Sequence, residues 1–322
     1  MRIMADPFEI SMYTTQFTTT FELLLQQEVS RLRGLVDSKG YIGKQAAVVN
    51  QIGALEFKAP AGRYSPLQFQ IAQYTRPWVF PTDRDVAVPF DTFDELKSIA
   101  DPKAVISQSV VAAANRFFDD IIINAAFGTT QRGQDANSLV PETFPTTVST
   151  TTSSTAPYGG FLVADTFGSG ASVGMTFNKI REARRVLRHY ENNLDAETLT
   201  LVGGSQQESD MLGQVEVIDK RFNDRPVVEN GKVTGILGTN VVISERLNTS
   251  SSNALRNCIL LARSGLHLGI WKEMSTRIDN RQDLTSQPWQ LYSSISAGAC
   301  RTQLGKVVQV NCADTTGGDI TF

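Results

Sequence analysis

Two histidines, three cysteines and a scatter of carboxylates are the residues of this chain that could do chemistry, and their spacing argues against catalysis. His267 lies in the apolar alternation "CILLARSGLHLGIW" and reads as a packed strand residue. His189 closes a helix, where a polar or positive side chain complements the helix dipole. Neither has a His or Cys neighbour at metal-ligand spacing. Cys258, Cys300 and Cys312 form no CxxC pair, and their odd number fits no simple disulfide framework, so they read as buried thiols of a reducing compartment. The run "GSGASVG" (168–174) has the glycines of a phosphate loop but no Lys-Ser/Thr after them, and reads as a turn. Asp119 and Asp120 are adjacent on a helix and point in different directions. Asp83 and Asp85 flank Arg84 and read as salt-bridging side chains. No catalytic, cofactor-binding or metal-binding residue is assigned, and no cofactor is expected. Arg181, Arg184, Arg185 and Arg188 follow helical spacing and share a face; phosphate binding and a salt-bridging face are both open readings, the second being commoner.

The elements that would position these residues are clearer than the chemistry. In "SVVAAANRFFDDIIINAAFGT" (109–129), Val110, Val111, Phe117, Phe118, Ile121, Ile122 and Ala125 fall in one apolar sector of a helical wheel. Arg116 and Asp120 stand at i,i+4 and are expected to pair. Pro102 suits a first helical position and Gly128 a C-terminal stop, giving a rod about 39 Å long. Ile123 and Phe127 lie on the polar side, so that side must be covered as well. Upstream, apolar residues from Phe21 to Leu35 recur at helical spacing after a threonine run and predict a short amphipathic helix ending at Gly34. In "ALEFKAPAGRYSPLQFQIAQY", Leu55 and Phe57 alternate with Glu56 and Lys58, and Leu67, Phe69 and Ile71 alternate with Gln68 and Gln70, about a Pro/Gly-rich tip. That is a long two-stranded hairpin, and a lone hairpin is marginal in water, so this one needs a partner surface. A short helix is expected over 93–100.

After Gly128 a Thr/Ser/Gly/Pro-rich stretch reads as a polar loop or an excursion of strands outside the core. Thr176 then caps a helix with Phe177, Ile180, Ala183, Leu187 and Tyr190 inward. "TLTLVGG" (198–204) reads as a buried strand, Ser205 as the cap of another helix, and Asn230-Gly231 as a hairpin turn. The stretch 257–312 is strand-rich, with "QLYSSISAGAC" and "KVVQVNC" pairing non-locally. Of the 322 residues 41% are hydrophobic and 20% charged, with a net charge of −3. The length allows one large or two ordinary domains, and the charge gives no basic face for nucleic acid. No run of 18 apolar residues occurs, so no membrane contact is expected.

The order of elements, and above all "YTRPWVFPTDRDVAVPFDTFDELKSIADPKAVISQSVVAAANRFFDDIIINAAFGT" (74–129), resembles the major capsid proteins of tailed double-stranded DNA bacteriophages. The carrying features are an Arg-Pro-aromatic strand, an Asp-rich link and a spine helix bearing Ala113, Arg116, Asp119 and Asp120; "GKVVQVNC" near the end is similar but less specific. The resemblance implies an α+β Hong Kong 97-type fold. It divides the chain into an N-terminal arm (1–40), an extended β-hairpin loop overlapping a neighbour (41–80), a peripheral domain with the spine helix (81–130), a Ser/Thr-rich insertion (131–175), an axial α/β domain (176–269), and peripheral return strands with a C-terminal tail (270–322).

It implies a structural, non-enzymatic protein that assembles with itself as pentamers and hexamers into an icosahedral head. Genomic DNA would be enclosed without sequence-specific binding, and assembly would take place in the bacterial host cytoplasm. Some relatives carry a cleaved scaffold segment before the arm; here little chain precedes Thr20, so a separate scaffold protein is expected, together with a portal protein and room for a decoration protein. Lys44 and Lys58 lie where some relatives cross-link, but no paired asparagine can be named and no cross-link is expected. Candidate inter-subunit contacts are Glu56, Lys58, Arg63, Arg76, Asp83 and Arg84. Phe117, Phe118, Ile121 and Ile122 would pack the spine helix against the peripheral sheet. A cellular shell of the same fold that packages enzymes, a phage tail-tube or adaptor protein and a soluble α/β hydrolase are the alternatives.

Overall fold

The computed structural model describes residues 25–59, 62–64, 66, 69–90, 103–146, 148, 160–214, 228–229, 232–250, 255–283 and 287–314. Its centre of gravity is α1 (Lys103–Phe127), a single 25-residue helix. Gly128 ends it: the Gly128 amide donates to Asn124 O at 2.8 Å, and a Cβ there would meet that oxygen at 2.6 Å. Phe118 and Ile122 are buried, as is Ile123 on the supposedly polar side. Phe127, on the same side, packs edge-on to Phe144 with ring centroids 5.2 Å apart. Val111, by contrast, is exposed, and Phe117 and Ile121 are only half-buried, so the buried stripe is rotated from the sector read off the sequence.

The helix lies across a four-stranded sheet of β1 (Asp37–Gly40), β5 (Thr82–Phe90), β16 (Leu266–Asn280) and β17 (Trp289–Arg301), in the order β1-β16-β17-β5. β16 and β17 form a long antiparallel hairpin, and β5 pairs with β17 along its length, from Phe90 opposite Trp289 to Thr82 opposite Ala297. That leaves β5 at the sheet edge, where Pro89 costs no interior hydrogen bond.

A second, seven-stranded sheet holds β8 (Leu162–Val163), β9 (Leu199–Gly203), β12 (Gly235–Ile236), β13 (Thr239–Ile243), β14 (Thr249–Ser250), β15 (Leu255–Ala262) and β18 (Val307–Ala313). It carries α2 (Phe177–His189) and α3 (Ser205–Leu212). The Thr176 side chain accepts from the Lys179 amide at 3.3 Å and starts α2, and β9 is buried along its whole length, as read from sequence. α3 begins one residue earlier than expected, with Gly204 rather than Ser205 as N-cap. β10 (Val228–Glu229) and β11 (Lys232–Val233) pair across positions 230–231, the hairpin expected there. β8 and β18 make this unit wider than 176–269, because both pair into its sheet from segments placed elsewhere by the sequence.

The third sheet is β2 (Ala46–Ala47), β3 (Gln51–Ile52), β4 (Tyr74–Val79), β6 (Thr130–Gly133) and β7 (Val140–Glu142). The polar stretch after Gly128 therefore supplies two strands, and it also supplies core: Phe144 within it is buried in the main hydrophobic cluster, joined by Phe161, Val163 and Met175 just beyond it. This corrects the expectation of a segment outside the core. A few aromatic residues spaced through Thr and Ser are enough to seal the sheet against α1.

The N-terminal helix expected up to Gly34 is not formed in its described part. Residues 25–32 lack regular structure, with a short 3-10 turn at Arg33–Leu35; the rest of that expectation, like the helix over 93–100, lies outside the described residues. Since Phe118 is fully packed and Phe117 is not, Phe118→Ala should cost about 3–5 kcal/mol in denaturant unfolding of the dissociated subunit, and Phe117→Ala less than half as much.

Candidate assembly interface

Two polar fixtures hold the spine helix, and a long excursion projects beyond it. On the first, Asp119 is completely buried. Its carboxylate accepts from Ser30 Oγ at 2.5 Å, from the Arg31 amide at 3.0 Å, from the Leu32 amide at 3.1 Å and from the Gln27 side chain. Residues 27–32 thus find in one side chain the acceptor that a helix would have found in its own carbonyls. Asn115 Nδ2 donates to Glu28 O at 2.7 Å, and Arg116 Nη1 donates to Gln26 Oε1 at 2.6 Å. This strap is bound to the face of α1 that sequence reading took as polar. Asp120 turns away and pairs with Arg246, Nε to Oδ1 at 2.6 Å, so the expected Arg116–Asp120 ion pair is not formed. A neighbour at i,i+4 loses here to a guanidinium delivered from the turn after β13, which can bind both carboxylate oxygens.

The second fixture is Arg301, also completely buried. Its Nη1 donates to Ala126 O at 2.9 Å and Gly128 O at 3.0 Å, the free carbonyls at the end of α1. A cation at that end also meets the negative pole of the helix. The guanidinium stands 5.2 Å from the Phe144 ring, and burial pulls its pKa down. Beside it Arg132 Nε reaches Glu142 at 2.9 Å and Arg132 Nη1 reaches Gln51 Oε1 at 3.0 Å, while Arg132 Nη2 and Gln51 Nε2 both donate to Thr302 O just past β17, which rivets the third sheet to the end of that strand.

From that riveted base the chain between β3 and β4 extends as a paired excursion. Its ladder is short: Gln51 pairs with Thr75, Ile52 with Tyr74, and the Gly53 amide donates to Gln73 O at 2.8 Å. Farther out, the Gln70 side chain ties the two arms, donating to Glu56 O at 2.7 Å and accepting from the Glu56 amide at 3.2 Å. The long hairpin ladder expected over 55–71 is therefore confined to its base among the described residues. Leu55, Phe57, Phe69 and Ile71 are all exposed, Phe57 completely so at 109%.

The assigned contact residues sort by place. Glu56, Lys58 and Arg63 are exposed on the excursion, Arg76 is half-buried in β4, and Asp83 and Arg84 are exposed on the β5 edge. The salt bridges expected among Asp83, Arg84 and Asp85 are not made: consecutive strand residues alternate sides and cannot meet. Arg84 instead borders an apolar slot of about 220 Å³ between β5 and α1, lined by Val110, Phe117, Met274 and Ile295.

The residues that invited chemical readings are structural. His267 is buried, its Nε2 lies 3.0 Å from Tyr41 Oη, and burial lowers its pKa. All three cysteines are buried free thiols, and Gly168 (φ 88°) and Gly170 (φ 75°) shape an ordinary turn. The arginine face of α2 is divided: Arg185 pairs with Glu182, Arg184 donates to Leu237 O, and Arg181 and Arg188 are exposed. Sequence reasoning missed Lys179, which is buried and donates to Val173 O at 2.7 Å, Gly174 O at 2.9 Å and Asn311 O at 3.0 Å. It also missed Arg301 and the role of Asp119. Only the position of Asp119 inside a mostly apolar run hinted at burial.

A helix-spanned sheet, a second sheet with its own helices and a riveted excursion with an apolar outer half make up the described fold. The family model for phage capsid proteins matches residues 10–314. The chain belongs to the phage capsid protein family. Among solved structures, the capsid of cyanophage P-SCSP1u is similar with a TM-score of 0.67 and 13% identity over 95% of this chain and 94% of that one. The cyanophage Pam1 capsid is similar with a TM-score of 0.67 and 12% identity over 95% and 98% of the two chains. The capsid of the native GTA particle follows with a TM-score of 0.65 and 12% identity over 94% and 96%. No curated protein sequence matches this chain. The capsid protein thus has the Hong Kong 97-type fold, its spine helix is α1, and its work is structural, as the wall of a phage shell built from copies of itself.

Two outcomes follow for the capsid protein. Asp119→Ala strands the Arg31 and Leu32 amides, and should destabilise the subunit by about 3 kcal/mol or more, with fast amide exchange at both residues; unchanged exchange would refute the clasp. His267 has its pKa held below the ordinary 6.5, so the unfolded chain binds the proton first as pH drops. Its stabilising share is complete above pH 6.5 and declines as pH falls toward the lower folded-state value. Unfolding midpoints measured between pH 7.5 and 5 should show that decline, and His267→Asn should flatten it.

Proposed function

We propose that the excursion of this capsid protein overlaps a neighbouring subunit and is the principal cohesive element of an icosahedral head enclosing the double-stranded DNA of a tailed phage. The observation that carries this reading is the exposure of Phe57, Phe69 and Ile71 on an excursion whose ladder ends at Gly53 and Gln73. Burying three such side chains on a neighbour contributes about 4–9 kcal/mol per subunit, repeated by symmetry around the shell.

In this reading 1–40 is the arm, 41–80 the extended loop, 81–130 and most of 270–322 the peripheral domain, and 176–269 the heart of the axial domain at five- and six-fold positions. Glu56, Lys58 and Arg63 meet charged groups of the next subunit, while Arg76, Asp83 and Arg84 form its receiving edge. A separate scaffold protein, a portal protein and a decoration protein complete the partners, and assembly takes place in the host cytoplasm. The cellular-shell alternative predicts particles that hold enzymes and no genome; the tail-tube and hydrolase alternatives have no use for an apolar excursion beside a spine helix.

The test is particle yield from cells co-expressing the capsid protein with its scaffold. Phe57→Ser with Phe69→Ser should leave a folded subunit with an unchanged unfolding midpoint, yet cut particle yield by tenfold or more; Arg63→Glu should act in the same direction. Normal yield of closed particles from both would remove the excursion from this role.

A further inference from the structure

Beside the strap, a cleft of about 720 Å³ opens between residues 25–27, α1 and the turn that follows β13. Arginines reach it from three separate segments: Arg31 from the strap, Arg116 from the helix and Arg246 from the turn. The carboxylates around it already have partners. Asp119 is saturated by the strap donors, and Asp120 is held by Arg246. Glu245, the acidic residue lining the cleft, pairs with Arg256 at 2.8 Å and accepts from the Ser205 amide.

Arg31 and Arg116 are differently placed. Arg31 donates through Nη1 to Ile243 O, and Arg116 through Nη1 to Gln26 Oε1 and to Gln27 O at 3.3 Å. All these acceptors are neutral, and among the described residues neither guanidinium stands in an ion pair. Among the described residues each keeps its Nε and Nη2 donors, the planar fork that fits two oxygens of a phosphate. The chain as a whole is acidic, with a net charge of −3, so broad electrostatic attraction cannot do what this local pair of forks can.

We infer that this cleft is a phosphate-binding site, with Arg31 and Arg116 as its ligands and Arg246 as the cation that fixes its far wall. The phosphate comes from the phosphodiester backbone of DNA or from the free ion. A site of this kind would give the capsid protein a sequence-independent hold on nucleic acid at the joint of strap and spine helix. The inference concerns the subunit and does not rest on the overlap role of the excursion.

The experiment uses the purified full-length chain, titrated by calorimetry with inorganic phosphate and by fluorescence anisotropy with a 20-base-pair duplex at several salt concentrations. Binding of either probe, weakened at least about tenfold by Arg31→Gln with Arg116→Gln, is the expected result. Binding of phosphate alone assigns the site to the free ion; binding of the duplex, with a salt dependence that falls by about two counterions in the variant, assigns it to DNA. The control Arg263→Gln with Arg277→Gln removes the same charge away from the cleft and should leave affinity unchanged. Should the double variant unfold, Arg31→Gln alone, at an exposed side chain, should still weaken binding severalfold, and Arg31→Lys should restore part of it. Failure of the wild-type chain to bind either probe, or equal loss in the control, would overturn the site.

Discussion

Beyond Gly53 and Gln73 the described backbone of the excursion finds no ladder partner in its own chain, and its apolar side chains stand in water. Everything nearer the core makes that arrangement sustainable. Arg132 ties β6 to Gln51, Glu142 and the end of β17, and Arg301 ties the end of α1 to the same place. A lever anchored so firmly at one end needs little of its own structure at the other. Its outer half is free to take the shape of whatever it meets. A finished hairpin would have satisfied itself and left less to gain from a neighbour.

The spine helix organises this anchorage through polar groups as much as through apolar ones. Phe118, Ile122 and Ile123 hold it to the core, but packing alone would leave its rotation and its ends loosely defined. Asp119 fixes the strap, Asp120 fixes the turn after β13 through Arg246, and Arg301 closes the carbonyl end. These contacts lie on successive residues or at one terminus, so one helix sets the relative position of three parts of the subunit. A buried carboxylate and a buried guanidinium are costly to desolvate, and each is retained with most of its hydrogen-bonding capacity filled.

Much of the architecture was legible because it rests on local signals. The apolar period and Gly128 give α1, Thr176 gives the start of α2, the Asn-Gly pair gives the β10–β11 turn, and the Arg-Pro-aromatic strand with the Ala113, Arg116, Asp119 and Asp120 pattern points to the family. What was not legible depends on partners distant in sequence. Leu25, Val29 and Leu32 have helical spacing, yet the backbone there is claimed by a carboxylate some 90 residues away, and a helix does not form. Arg116 and Asp120 are correctly spaced for each other and are taken by Gln26 and Arg246. Phe144 looked like an aromatic residue in a polar loop until the sheets enclosed it. At the interface, Glu56, Lys58 and Arg63 could be placed on the excursion from sequence, but Asp83 and Arg84, read as part of an Asp-rich link, lie on the edge strand β5. Nor could the true extent of the ladder be read, since alternation fixes which side a residue faces and not whether its backbone finds a partner.

The most direct measurement is hydrogen exchange compared between dissociated subunits and assembled particles, read on the excursion. Fast exchange is expected at 54–58 and 69–73 in the subunit and strong protection of both arms in the particle, with the riveted base at 74–79 protected in each state. Protection gained elsewhere while both arms stay open in the particle would contradict the overlap role of the excursion.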